Sequence, residues 1–181
     1  QIQLQPEWKT IHGMPAPLRL PGESVSGPLM LSDASCLPRM GVKGPHAEQW
    51  LRSQGVEPLP GVNAWARDSN GMLIARLARS EFLLEDRFGG ISVERLSAAL
   101  RPAPGVYPVP RQDAALVVAG SAANELLVQI CNVDFQAWPP DRQPVVMTAM
   151  AGVSVLVLWY AIERQRCYRI WCDGTFGPYL W

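Results

Sequence analysis

The sequence predicts an α+β domain in which two copies of one βα-plus-hairpin unit fold against each other. Three observations carry this. A ten-residue stretch recurs with the same spacing, Val42-Lys43-Gly44 through Leu51 matching Val118-Ala119-Gly120 through Leu127 in Val, Gly, Ala and Leu. A hairpin signal follows each copy. Residues 101–112, with Pro102, Pro104, Pro108 and Pro110, separate them as a stiff linker. The copies are expected over about 31–100 and 113–181, together one domain of residues 31–181 preceded by an extended, proline-rich arm over 1–30.

In each copy a short strand ends at a glycine and a helix begins. Pro45 suits a first helical turn and Ser121 a helix cap. In the first copy, strand 62–67 leads to Asp68-Ser69-Asn70-Gly71, where Asn-Gly accepts positive φ at low cost, and strand 72–78 returns. Strand 81–86 follows. Ser92 is then placed to cap a helix whose Val93, Leu96 and Leu100 share one face. In the second copy, strand 145–150 turns at Ala151-Gly152 into 153–160, and 167–173 closes the unit. The closing strands align as Phe82 to Asp86 with Arg169 to Asp173. The second copy reaches Trp181 where its matching helix would begin. One copy alone would expose a hydrophobic sheet face and open edges; pairing the copies buries both and leaves a groove between them.

With 16 basic and 16 acidic residues the net charge is zero, so binding of nucleic acid through bulk charge is not expected. The longest apolar run, 153–160, is far short of the roughly 20 residues of a membrane span. Gln1-Ile2-Gln3-Leu4 shows no secretory pattern. Cys36, Cys131, Cys167 and Cys172 form no C-x-x-C pair, and Cys167 and Cys172 would point to opposite faces of one strand. They read as reduced thiols of a cytoplasmic protein.

Catalytic patterns are sparse. No G-x-S-x-G, phosphate loop or dinucleotide fingerprint is present, and Gly89-Gly90 reads as a turn. His46-Ala47-Glu48 has the spacing of a zinc deaminase His-x-Glu, without the Cys-x-x-Cys that would complete it. Asp33, Asp113 and Asp134 read as turn formers, and Glu81, Glu85 and Asp86 as strand-face or edge groups. Arg76 and Arg79 could grip a carboxylate or simply sit in water. The aromatics Trp159, Trp171, Phe176, Tyr179 and Trp181 read either as core or as a docking surface for a partner.

Two stretches carry a family resemblance. Leu31-Ser32-Asp33-Ala34-Ser35 followed by Gly41 to Leu51 resembles the opening of the glycine-cleavage aminomethyltransferase and its folate-binding relatives. Residues 105–114, 131–135, 147–155, 168–173 and 177–181 are more similar to the gamma subunits of heterotetrameric sarcosine oxidases. The resemblance implies an aminomethyltransferase folate-binding-type fold. It also implies a place in a flavoenzyme complex that demethylates N-methyl amino acids and passes the one-carbon unit to tetrahydrofolate. In the transferases a strand after a glycine turn carries an Asp-Asp pair; the matching positions here are Ile74 and Ala75, which hold no charge and relay no proton. The Lys-Gly-Cys motif of shorter folate-binding relatives is also missing. The implied role is a noncatalytic scaffold beside larger flavoprotein subunits, with Arg76 and Arg79 as candidates for a folate carboxylate. The alternative is a protein of aminomethyltransferase type that binds tetrahydrofolate alone. An acidic side chain projecting from the first hairpin into the cleft would overturn the scaffold reading.

Overall fold

The computed structural model describes residues 7–11, 14–19, 27–101, 103–139, 142–162 and 165–181. In chain order the strands are β1 (Glu7–Ile11), β2 (Met14–Arg19), β3 (Met30–Asp33) and β4 (Arg39–Lys43). After helix α1 (Ala47–Ser53) come β5 (Ala64–Arg67), β6 (Leu73–Ala78) and β7 (Glu81–Glu85). Helix α2 (Ser92–Ala99) precedes β8 (Tyr107–Val109) and β9 (Asp113–Ala119). Helix α3 (Ala123–Ile130) leads to β10 (Val145–Met150), β11 (Val153–Ile162) and β12 (Gln165–Asp173), and the short α4 (Gly177–Leu180) ends the chain.

The first sheet has the order β5-β6-β7-β4-β8 and the second β10-β11-β12-β9-β3. The orders match element for element, so the duplication read from the sequence is a duplication of topology. The inner faces stack on one another through Trp65, Leu73, Ala75 and Leu83 on one side and Ala115, Leu156, Leu158 and Trp171 on the other. Helices α1 and α2 cover the outer face of the first sheet, with Leu51, Val93 and Leu96 against Ile74, Phe82 and Leu84. Helix α3 covers the second through Ala123 and Leu127. The result is four layers, helix, sheet, sheet, helix. Strands buried on both faces lose the apolar-polar alternation of a half-exposed strand, and Phe82, Leu83, Leu84 and Glu85 are all buried.

The edges of the two sheets are exchanged. β3 precedes β4 in sequence but pairs with β9 of the second sheet, and β8 precedes β9 but pairs with β4 of the first. Residues 31–33 thus leave the half expected to hold them, and the proline-rich linker supplies a strand rather than a spacer. Each exchange is fixed at a helix start. Gly44 and Gly120 have φ of +122° and +106°. A Cβ there would lie 2.3 Å from Gly105 O and 2.4 Å from Pro28 O. Those same carbonyls accept hydrogen bonds from His46 N at 2.9 Å and Ala122 N at 2.7 Å.

Several local expectations are corrected. In register, Val42 faces Phe82 and Val118 faces Tyr168. The closing strands therefore align one residue earlier than expected: Phe82 with Tyr168 and Glu85 with Trp171. A slip of one residue exchanges the faces of every side chain. Neither Ser92 nor Ser121 caps its helix. Asp86 does this for α2, accepting from Val93 N at 2.8 Å; an ionised carboxylate at a helix start is a stronger acceptor than a hydroxyl. In the arm, β1 and β2 form a two-stranded antiparallel sheet instead of one extended run. Pro6, Pro21 and His12 lie outside the described residues.

Both hairpins form. Gly71 has φ +84°, and Asp68 Oδ1 accepts from Asn70 N at 2.9 Å and Met72 N at 2.8 Å. The β10–β11 turn places both central residues at positive φ, Ala151 at 47° and Gly152 at 84°, the geometry for which Asn-Gly is preferred. An L-residue other than Asn, Asp or Gly pays about 1–2 kcal/mol there. Ala151→Asn is expected to stabilise the fold by about 1 kcal/mol, read as a rise of roughly 2–4 °C in Tm.

Candidate functional site

Between the sheets lies one buried polar cluster. Glu85 on β7 faces the second sheet, and its side chain is 3% exposed. Its neighbour in register, Arg39 on β4, donates from Nε to Oε2 at 3.1 Å. From the opposing sheet, Arg169 donates Nε to Oε1 at 3.0 Å and adds a second bond from Nη2 to the same oxygen. Trp171 Nε1 donates to Oε2 at 2.7 Å. A carboxylate offers about four lone-pair positions, and all are engaged. Arg39 also donates to Asp113 O at 2.5 Å and Ala34 O at 2.8 Å. Burial pushes its pKa below the usual guanidinium value, and the Glu85 charge partly offsets this.

Glu85 is thus a strand-face group turned to the buried inner face, and Asp86 is buried just beyond β7. The sequence signal for Glu85 is a charge that closes the apolar run 82–84, in a copy whose partner strand carries Arg169 and Trp171. An acid does project between the halves from the strand following the first hairpin, yet its oxygens have no free position for a substrate proton. At Ile74 and Ala75 the side chains are apolar and buried.

Arg76 turns to the outer face beneath α1. Its guanidinium donates to Leu59 O at 2.8 Å, Arg79 O at 2.7 Å and Glu48 Oε2 at 2.8 Å, and it stacks over the Phe82 ring at 5.3 Å. Arg79 contributes its carbonyl to that pocket and is itself exposed. The two arginines do not form one anion fork. Hydrogen bonds from Arg52 and Arg76 lower the pKa of Glu48.

The aromatic group divides. Trp159 and Trp171 are each 1% exposed and belong to the cores, which corrects their reading as contact residues; Phe176, Tyr179 and Trp181 are 48%, 67% and 55% exposed. β11 and β12, which carry Trp159 and Trp171, are sandwiched between layers, so these aromatics fill space inside, whereas the last residues lie over the rim of β9.

Where the second sheet extends past the first, a groove of about 1100 Å³ opens, lined by Ser35, Arg39, Arg111, Asp113, Asp173 and Thr175. Its polar groups already have partners: Arg111 Nε meets Asp113 Oδ2 at 2.9 Å, and Asp173 accepts from Thr175 N at 2.9 Å and Oγ1 at 2.6 Å. Those two bonds lower the Asp173 pKa. Asp33 and Asp134 form turns, accepting from Ser35 N at 2.7 Å and Gln136 N at 2.9 Å. His46 is an exposed residue at the start of α1. Among the described residues no group of three His, Cys, Asp or Glu is placed to hold a metal, and no helix is long and apolar enough to cross a membrane. All four cysteines are unpaired; Cys172 belongs to the core beneath α3 and Cys167 is buried, and burial raises the pKa of both.

The duplicated four-layer architecture is the aminomethyltransferase-type fold. A chain of the heterotetrameric sarcosine oxidase from Corynebacterium sp. U-96, solved with pyrrole 2-carboxylate, superposes with a TM-score of 0.66 at 24% identity, over 85% of this chain and 81% of that one. The glycine cleavage system aminomethyltransferase T from Bartonella henselae superposes with a TM-score of 0.63 at 13% identity. It covers 97% of this chain, which spans 52% of the enzyme chain. No family model matches the sequence, and no curated protein matches it.

Proposed function

We propose that this chain is a noncatalytic, gamma-like subunit of a sarcosine-oxidase-type flavoenzyme complex linked to one-carbon metabolism. The observation that supports this most is the closed interior. The carboxylate between the sheets is fully engaged by Arg39, Arg169 and Trp171, and the first hairpin puts aliphatic groups where a transferase needs an acid. Such an interior stiffens a body and offers no general base to a bound amine. The likeness supports the same reading: the sarcosine oxidase chain is matched over 85% of this chain and 81% of its own length, whereas this chain spans 52% of the transferase. Flavin and folate chemistry would then reside in larger partner subunits, in the cytoplasm, and the exposed Phe176, Tyr179 and Trp181 would serve as contacts.

Co-expression with the large subunits of a sarcosine-oxidase-type enzyme is expected to give a complex that survives size-exclusion chromatography with bound flavin. A chain that elutes as a monomer apart from those subunits refutes the proposal. The groove beside Arg39 and Arg111 favours a second reading, a protein of aminomethyltransferase type that binds tetrahydrofolate alone. Calorimetric titration of the isolated chain separates the two. Absence of heat at millimolar tetrahydrofolate is expected, and saturable binding would support the second reading instead.

A further inference from the structure

The two exchanged edge strands, β8 and β3, are equivalent by topology but not by chemistry. Gly44 N donates to Ser80 O at 2.9 Å, so residues 40, 42 and 44 direct their backbone to β7 and residues 41 and 43 direct theirs to β8. Pro108, opposite Val42, thus turns its nitrogen to the outer edge of β8. A proline there offers no N–H to an incoming strand, a recognised way of closing an edge. On β3, Ala34 N donates to Ala115 O at 2.7 Å, so residues 30, 32 and 34 face β9. Leu31 and Asp33, opposite Val118 and Leu116, direct N–H and C=O outward. No described strand pairs with that side. It carries no proline, and Leu29 and Leu31 are 43% and 38% exposed.

A pocket of about 290 Å³ lies at the end of this edge. Ala114, Leu116, Pro178 and the exposed Trp181 give it apolar walls, and Asp33 stands among them. An open apolar pocket with a carboxylate suits a Lys or Arg side chain, stem against the walls and head on Asp33. A second copy fits less well: two-fold pairing about Leu31 sets Asp33 against Leu29 and brings no cation to either carboxylate.

We propose that the outer edge of β3 receives an extended segment of a partner subunit, added as a strand, with an apolar residue beside Leu31 and a basic residue in the Asp33–Trp181 pocket. This rests on the proposed function and names the surface by which the chain joins the complex. Leu31→Pro tests it, because the lost N–H serves no bond among the described residues and the β3–β9 ladder stays intact. In the co-expressed complex, Leu31→Pro is expected to retain the circular dichroism and Tm of the isolated chain while losing more than tenfold in affinity for the large subunits. Asp33→Asn is expected to weaken binding severalfold and to reduce its salt dependence. If Leu31→Pro fails to fold, hydrogen exchange of the wild-type complex decides: slowed exchange at Leu31 and Asp33 supports the edge, and unchanged exchange overturns it. A complex that forms equally well with Leu31→Pro overturns the edge and leaves the proposed function standing. Wild-type chain that never joins the large subunits removes both. Self-association abolished by Leu31→Pro would assign the edge to a second copy and overturn the partner strand.

Discussion

Glu85→Ala is expected to cost about 3–5 kcal/mol, a large share of the roughly 5–15 kcal/mol of an ordinary domain, read as a marked fall of the urea midpoint at neutral pH. The substitution leaves Arg39 and Arg169 facing each other between the sheets, with side chains 3% and 8% exposed, and removes the acceptor of the Trp171 indole. Two like charges without their counter-ion are worse than one missing bond, because the desolvation of each guanidinium stays while its compensation is lost. Glu85→Gln is expected to fall between, since it keeps an acceptor but no charge. The informative comparison is the variant Arg39→Met, Glu85→Leu, Arg169→Met. If the cluster acts as a buried ion network, removing all its charges at once should restore most of the loss, as apolar replacements of similar volume often do. A triple variant as unstable as Glu85→Ala would mean that the hydrogen bonds of Arg39 to Ala34 and Asp113, and not its charge, hold the sheets together.

Much of this architecture was legible because it is local. The Asn70-Gly71 and Ala151-Gly152 turns announce themselves through their glycines, which hold positive φ at low cost, and Gly44 and Gly120 mark the repeat because each precedes a helix in the same way. What was not legible depends on partners distant in sequence. Nothing in Met30 to Asp33 says that it joins β9, some eighty residues on, since an edge strand takes its place from what it meets. The closing strands illustrate the same limit. Phe82 to Glu85 are buried on both faces, so no alternation fixes their register, and only the Val42–Phe82 and Val118–Tyr168 pairings do. The candidate site suffered most from this. Arg76 reads as a carboxylate ligand or a solvated cation, whereas its place on the outer face hands it to Glu48; Glu85 reads as a strand-face or edge group, and the face it takes makes it the centre of the interface. Trp159 and Trp171 could not be told from Phe176, Tyr179 and Trp181 by composition, because burial is decided by the layer each strand enters.

Gly120→Ala is expected to destabilise the protein by roughly 3 kcal/mol or more, combining a strained backbone with overpacking. At φ +106° an L-residue is already disfavoured, and the new Cβ would fall 2.4 Å from Pro28 O. That atom is backbone and cannot rotate aside, and it is the acceptor of Ala122 N at 2.7 Å. To relieve the clash the segment entering β3 must withdraw, which breaks the bond at the start of α3 and loosens β3 from β9. The loss should therefore appear in hydrogen exchange first at Met30 and Ser32, whose amides face β9, and only later in β11 and β12. Gly55 provides the control. It also has positive φ, +78°, but nothing lies within 4 Å of its would-be Cβ, so Gly55→Ala should cost only the conformational part, about 1 kcal/mol. Equal losses at both positions, measured by urea unfolding, would show that strain alone matters. A larger loss at Gly120, with early exposure of β3, would show that contact with Pro28 fixes the strand exchange.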